Sequence, residues 1–357
     1  MSVREFRHTE LLAHVVFGRG TLSHLPEEAA RLMIRRALVI STPGQCGLAE
    51  RAADVLGDGK AQVFAGAVMH TPVAVTEDAL ARVRDGRING LVAIGGGSAI
   101  GLSKALALRT ALPQIAIPTT YAGSEATPML GETKGGEKIT QRSIGVLPRV
   151  ILYDVDLTLK LPRAVSMTSG LNAMAHAAEA LYAPDGNPLV GLMAEGALAA
   201  MIEALPRIYA RPDDIDSRSS ALYGAWLSGR CLGMVSMALH HKICHALGGT
   251  FGLPHAETHA VMLPHALAYN LVAAPDARRR LARLLQHDEP AAALACLARD
   301  LGAPYALRDI GMPEDGLDHA ADLALRNPYA NPRPIEWGAI RAMLTRAWAG
   351  ELPPSEV

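Results

Sequence analysis

GLVAIGGGSAIGLSKALAL, residues 90–108, decides the fold of this chain. An apolar run with β-branched residues, Gly90 to Ile94, enters three glycines and leaves as an alanine- and leucine-rich stretch, Ala99 to Leu108, of helical composition. A strand that turns through Gly95, Gly96 and Gly97 into a helix opened by Ser98 brings backbone N–H groups close to an approaching pyrophosphate. The helix N-terminus adds about half a positive charge there. The spacing is not the G-x-G-x-x-G of the dinucleotide fingerprint, so the turn itself carries the inference.

Outward from this turn the same alternation repeats. Strands are expected at 13–17, 37–41, 61–64, 115–118 and 149–153, with helices over 22–33, between Gly44 and Leu56, and over 73–84. That is the pattern of an α/β domain with a largely parallel sheet over residues 1–160. Loops at the strand ends place a ligand above the sheet: Thr42 after the second strand, and Thr119, Thr120 and Ser124 in the hydroxyl-rich TTYAGSE after the Ile115–Pro118 strand. Residues 133–143 read as a polar hairpin. After Asp154 alternation fades, and residues 161–357 read as an all-helical substrate domain.

Composition narrows the function classes. The 357 residues carry 34 basic and 35 acidic side chains, a formal net charge of −1, and only 4% aromatic residues. Such a balance argues against nucleic acid as partner. No run approaches the ~18 apolar residues of a membrane span, and the N-terminus has no signal-peptide pattern. The 4 cysteines form no C-x-x-C pair and read as free thiols of a reducing cytoplasm.

The helical half holds the second constellation. LHHKICHALGGTFGLPHAETHAVMLPH, from Leu239 to His265, contains 6 of the 13 histidines. His241 and His245 are one helical turn apart on one face, Gly248 and Gly249 are expected to end that helix, and His255 follows Pro254. Asn172 and His176 repeat the i, i+4 spacing in SGLNAMAHAAE and are candidates for another wall of the same pocket. Imidazoles titrating near pH ~6.5 bind metals, move protons or hold anions. His240, His259 and Cys244 are read as packing residues.

Together these residues resemble the iron-containing alcohol dehydrogenase superfamily, which includes glycerol dehydrogenase and dehydroquinate synthase. The resemblance rests on Phe17-Gly18, Gly95-Gly-Gly-Ser98, Pro118-Thr-Thr120 with Gly123-Ser124-Glu125, the spacing from His241 to His255, and Asn331-Pro332-Arg333. It implies an N-terminal dinucleotide-binding domain, an all-α C-terminal domain, and a homodimer. In metal-dependent members an Asp and three His hold the ion, at positions that match Asn172, His176, His241 and His255. An amide at 172 is a weaker ligand than a carboxylate, although three imidazoles hold zinc elsewhere. Gly101 replaces a further family Asp.

Both departures, with PTTYAGSE (118–125) and PHAETH (254–259), resemble the maleylacetate reductase branch. That branch implies NADH- or NADPH-dependent reduction of the C=C bond of a small dicarboxylate in aromatic-compound degradation, without an obligatory metal. His241, His245, His255, His176 and Asn172 would form the substrate pocket. A metal, if bound, would sit on His176, His241 and His255, as in the alternative of a metal-dependent alcohol dehydrogenase. No acid follows the second strand to repel a 2′-phosphate, so both cofactors are expected. Lys242, Arg142 and Lys138 are candidate partners for the substrate carboxylates.

Overall fold

The computed structural model describes residues 6, 8–10, 13–134, 137–327 and 329–355. The chain divides into two compact units, Leu11–Leu161 and Pro162–Val357, the latter with Met1–Glu10. Glu10, placed in the first domain by the sequence, pairs with Arg230 of the second.

The first unit is built on six parallel strands: β1 (His14–Gly18), β2 (Ala37–Ile40), β3 (Ala61–Phe64), β4 (Gly90–Gly95), β5 (Gln114–Pro118) and β8 (Val150–Asp154), in the spatial order β1-β8-β5-β4-β2-β3. Period-2 alternation sends their side chains to two cores. Val39, Val92, Ile94, Ile115, Ile117 and Leu152 face α1 (Leu25–Arg31) and α2 (Cys46–Leu56). Leu38, Ile40 and Leu91 face α3 (Val73–Asp85) and α4 (Gly97–Thr110). Covering both faces buries β2, β4, β5 and β8 at every position, as parallel strands require.

Most element ends shift by one or two residues from the sequence reading, and two differ by more. The stretch from residue 21 starts as a short 3-10 turn, Thr21–His24, before α1. The hairpin begins earlier than Thr133, as β6 (Met129–Lys134) and β7 (Glu137–Arg142). Buried Leu130 and Glu132 anchor it, a contribution that its polar composition conceals.

The second unit contains α5 (Arg163–Ala180), α6 (Pro188–Ala210), α7 (Ile215–Met234), α8 (Leu239–Phe251), α9 (His255–Leu271), α10 (Pro275–Leu285), α11 (Pro290–Asp300), α12 (Leu317–Leu325) and α13 (Trp337–Ala349). α5 is buried continuously from Ser166 to Ala180 and is packed by α6, α7 and α9. A helix covered all round is a core helix. Gly170 allows α6 to close on it, since a Cβ there would lie 2.6 Å from Leu205. α6 has the length and apolarity of a membrane span, but Val190, Ala194, Leu198, Met201 and Leu205 spend that apolarity on the bundle core.

α8 does not end at Gly248 and Gly249. It continues to Phe251, and Gly252 at φ 67° supplies the left-handed C-cap. A glycine within a helix weakens it by about 1 kcal/mol without stopping it, and buried Leu247 on this turn holds it in place.

Candidate active site

In the first unit the chain reverses its direction across the sheet between β2 and β4, so the carboxyl ends of these strands flank a crevice. Thr42 lies at one lip in extended conformation. Gly95 lies at the other with φ 144°, and a Cβ on it would meet Gln45 Oε1 at 2.6 Å. Gly96 is equally constrained, since its Cβ would sit 2.9 Å from Thr120 Cγ2. Gly97 and Ser98 then open α4 with N–H groups toward the crevice. Gln45 Nε2 donates to Thr119 Oγ1 at 2.9 Å, tying the loop after β5 to the loop after β2. The buried Ser124 Oγ has no hydrogen-bond partner. A glycine turn closed to side chains at Gly95 and Gly96, a helix N-terminus and an unsatisfied hydroxyl fit the pyrophosphate and ribose of a dinucleotide.

Two features here escaped the sequence reading. Lys104 is buried within α4 and donates to Ser124 O at 2.6 Å, Thr127 O at 2.7 Å, Met129 O at 2.9 Å and Thr127 Oγ1 at 3.0 Å. Burial lowers its ammonium to about 7, against the opposing charge of Glu125. Glu125 is itself buried, accepts Tyr153 OH at 2.8 Å, and is raised above the usual carboxylate range by desolvation. The departure at Gly101 has a local reason: a Cβ there would meet Thr71 Oγ1 at 2.6 Å.

The second unit brings the histidines together. Asn172 and His176 lie one turn apart on α5, 2% and 3% exposed. His176 Nδ1 lies 2.7 Å from His241 Nε2, and His241 Nδ1 lies 2.6 Å from Glu179 Oε2. Glu179, which was overlooked, also accepts the N–H groups of Ala238 at 3.0 Å and His240 at 2.9 Å at the start of α8. Burial alone would raise its carboxyl, but the hydrogen bond and charge of His241 outweigh burial and hold it below its ordinary value. An ionised Glu179 accepts a hydrogen bond from Nδ1–H of His241, which leaves the His241 Nε2 lone pair to accept Nδ1–H of His176. Neutral His176 then presents its Nε2 lone pair, and it carries a proton there only as the imidazolium.

His245 and His255 stack with ring centroids 6.3 Å apart, and His255 lies 4.3 Å from His259. His259 Nδ1 and His240 Nε2 are 3.0 Å apart, behind His241. Burial lowers His240 to about 3 and takes His259 well below its ordinary value, so both are neutral packing groups. Asn331 ties the start of α8 to α9, accepting from Leu239 N at 3.2 Å and donating to Asn270 Oδ1 at 2.7 Å. Lys242 lies over the Tyr329 ring at 5.6 Å. Arg142 is exposed at the end of β7, and the Lys138 side chain lies outside the described residues.

A resident metal does not fit these donors. Two nitrogens on one tetrahedral ion at ~2.1 Å would stand about 3.4 Å apart, whereas His176 and His241 share a proton at 2.7 Å. The Glu179 hydrogen bond leaves Nε2 as the ligand atom of His241, the one already shared with His176, and the Asn172 Oδ1 is a neutral, unpartnered amide oxygen, a weaker donor than a carboxylate. His240, Cys244 and His259 bring ligand atoms within 4.8 Å of one another, but the His240–His259 hydrogen bond occupies that space.

The family model for iron-containing alcohol dehydrogenase matches residues 13–155, and that for the C-terminal part of the Fe-containing alcohol dehydrogenase family matches residues 166–348. The chain is 52% identical to a maleylacetate reductase of Pseudomonas knackmussii over 98% of this chain and 99% of that one. It superposes on the crystal structure of maleylacetate reductase from Agrobacterium tumefaciens with a TM-score of 0.93 at 53% identity, covering 98% and 100% of the two chains. An iron-containing alcohol dehydrogenase from Corynebacterium glutamicum gives 0.91 at 40% identity, covering 97% of each chain.

Proposed function

The chain belongs to the iron-containing alcohol dehydrogenase family, and from that premise we propose that it is a reductase of maleylacetate, using NADH or NADPH to saturate the C=C bond and form 3-oxoadipate. The Glu179–His241–His176 chain carries this reading, because it supplies proton transfer to a reaction whose electrophile is already activated. When bound in the glycine cradle, the reduced nicotinamide supplies the hydride.

In maleylacetate the double bond is conjugated with the C4 ketone. Hydride gained at the alkene carbon β to that ketone shifts the electron pair onto the ketone oxygen as an enolate, and a proton at the α carbon completes the product. Lewis-acid help at a carbonyl is less needed than in alcohol oxidation. Donors that stabilise the enolate oxygen are needed instead. As the imidazolium, His176 carries a proton at Nε2 to give to the α carbon while its Nδ1–H stays bonded to His241, and Glu179 supports the charge through His241. His245 and His255 bind and polarise the substrate, and the Asn172 amide completes the wall. The loop after β2 offers Ser41 and Thr42 in place of an acid, so a 2′-phosphate meets no repelling charge there.

The test is oxidation of NADH and NADPH followed by absorbance with maleylacetate, before and after exhaustive chelation, beside simple alcohols with NAD. Turnover with both cofactors, within ~100-fold of each other, that survives chelation is expected. Glu179→Gln should lower kcat by about 100-fold or more through the wrong tautomer of His241, with little change in the KM for NADH. Activity on alcohols alone would overturn the substrate assignment.

A further inference from the structure

Residues that hold a ligand loop in place leave a mark distinct from residues that touch the ligand, and Lys104 leaves that mark. It lies seven residues, two turns, beyond Gly97 on α4, so one rigid helix carries both the glycine turn at its tip and this ammonium on its flank. Two carbonyls from the loop after β5 and one from the start of β6 point inward at it, those of Ser124, Thr127 and Met129 at 2.6, 2.7 and 2.9 Å. Thr127 Oγ1 accepts a further contact at 3.0 Å and itself donates to Ser124 O at 2.9 Å. The ammonium thus gathers carbonyls from the loop and from the first residue of β6 around one point on α4. An apolar side chain of the same length would take this donor from the carbonyls of Thr127 and Met129, which is costly.

We propose that Lys104 is the positioning residue of the nucleotide site, setting the height of the Ser124 hydroxyl and its loop over the glycine turn without touching the cofactor. This rests on the dinucleotide reading of that turn. Glu125 and Tyr153 form the other side of the same buried set, joined at 2.8 Å. They stop the loop from rotating about the lysine, while the Gln45–Thr119 hydrogen bond of 2.9 Å fixes its beginning. The loop is thus held at both ends, and Lys104 ties it to the helix whose N-terminus faces the phosphates.

Direct titration of NADH into the intact protein, with steady-state kinetics alongside, tests the proposal. Lys104→Met should weaken NADH binding about 10- to 100-fold, while kcat at saturating cofactor stays within about threefold. Lys104→Gln, which keeps donors but no charge, should recover a large part of that loss, and it serves as the reporter if Lys104→Met does not fold. Leu106→Ala on the same helix, buried away from the loop, controls for lost stability and should leave NADH affinity unchanged. Wild-type affinity in Lys104→Met overturns the proposal. So does equal loss in Met and Gln variants, which would mean that charge and not position matters. Absence of NADH and NADPH binding by the wild type overturns the dinucleotide reading itself.

Discussion

Asn172 is where this chain departs most sharply from a metal site, and its surroundings say what the departure does. The amide is 2% exposed and its oxygen has no partner, one turn before His176. A carboxylate there would be a buried charge without a counter-ion, costing about 3 kcal/mol or more. Asn172→Asp should therefore lower the thermal midpoint in metal-free buffer and regain it with added zinc, whereas the wild type should not respond to zinc. A calorimetric scan with and without the ion checks this; no zinc response in the variant would mean that position 172 does not face the histidines. The i, i+4 pairs were legible because helical periodicity projects such residues from one face. Glu179 was not, although it stands three residues after His176. Nothing in a sequence tells a buried acid that orders a histidine from one at the surface of an alanine-rich helix.

Among the elements, the strand–turn–helix of residues 90–108 was readable because each part is locally determined. β-branched residues favour the strand, glycines fill positions where a Cβ meets Gln45 or Thr120, and small or long aliphatic side chains favour the helix. Gly96→Ala consequently should push Thr120 aside and weaken NADH binding about tenfold or more, with the sheet intact by circular dichroism; unchanged affinity would place the cofactor elsewhere. The end of α8 was misread at Gly248 and Gly249 for the opposite reason. Local propensity says only that a glycine is unfavourable in a helix. The burial of Leu247 and the left-handed turn at Gly252 decide where the helix stops, and both depend on tertiary packing.

For the molecule as a whole, the histidines on α8 and α9 set an acid limit on stability. His265 is lowered to about 4 by burial and by Arg346 and Arg299, His240 to about 3, and His259 lies well below its ordinary value, each with burial as the main cause. The unfolded chain takes up these protons near pH ~6.5, before the folded chain does. Stability is therefore full above that pH and falls as pH drops toward the folded values. Each such histidine contributes a slope of about 1.4 kcal/mol per pH unit. Urea unfolding between pH 6 and 4.5 should show this decline, and His265→Gln should remove one histidine's share of it. An unchanged slope in that variant would mean that His265 titrates normally in the folded chain.

The division into an α/β half and a helical half was visible from the change in periodicity near Asp154, since hydrophobic period reports which side of an element is covered. Strand order was not visible, and one pairing in it has a consequence for biosynthesis. Among the described residues β1 has only β8 as its neighbour, with His14 opposite Val150 and Gly18 opposite Asp154. Between the translation of the two strands lie roughly 135 residues, which at about 5–20 residues per second is some 7–27 s. Throughout that interval the nascent chain carries a strand with no partner, next to β-α units that are already able to pair. The edge of this sheet is thus the last part of the first unit to close on the ribosome, and the part most exposed to chaperones or to a neighbouring nascent chain.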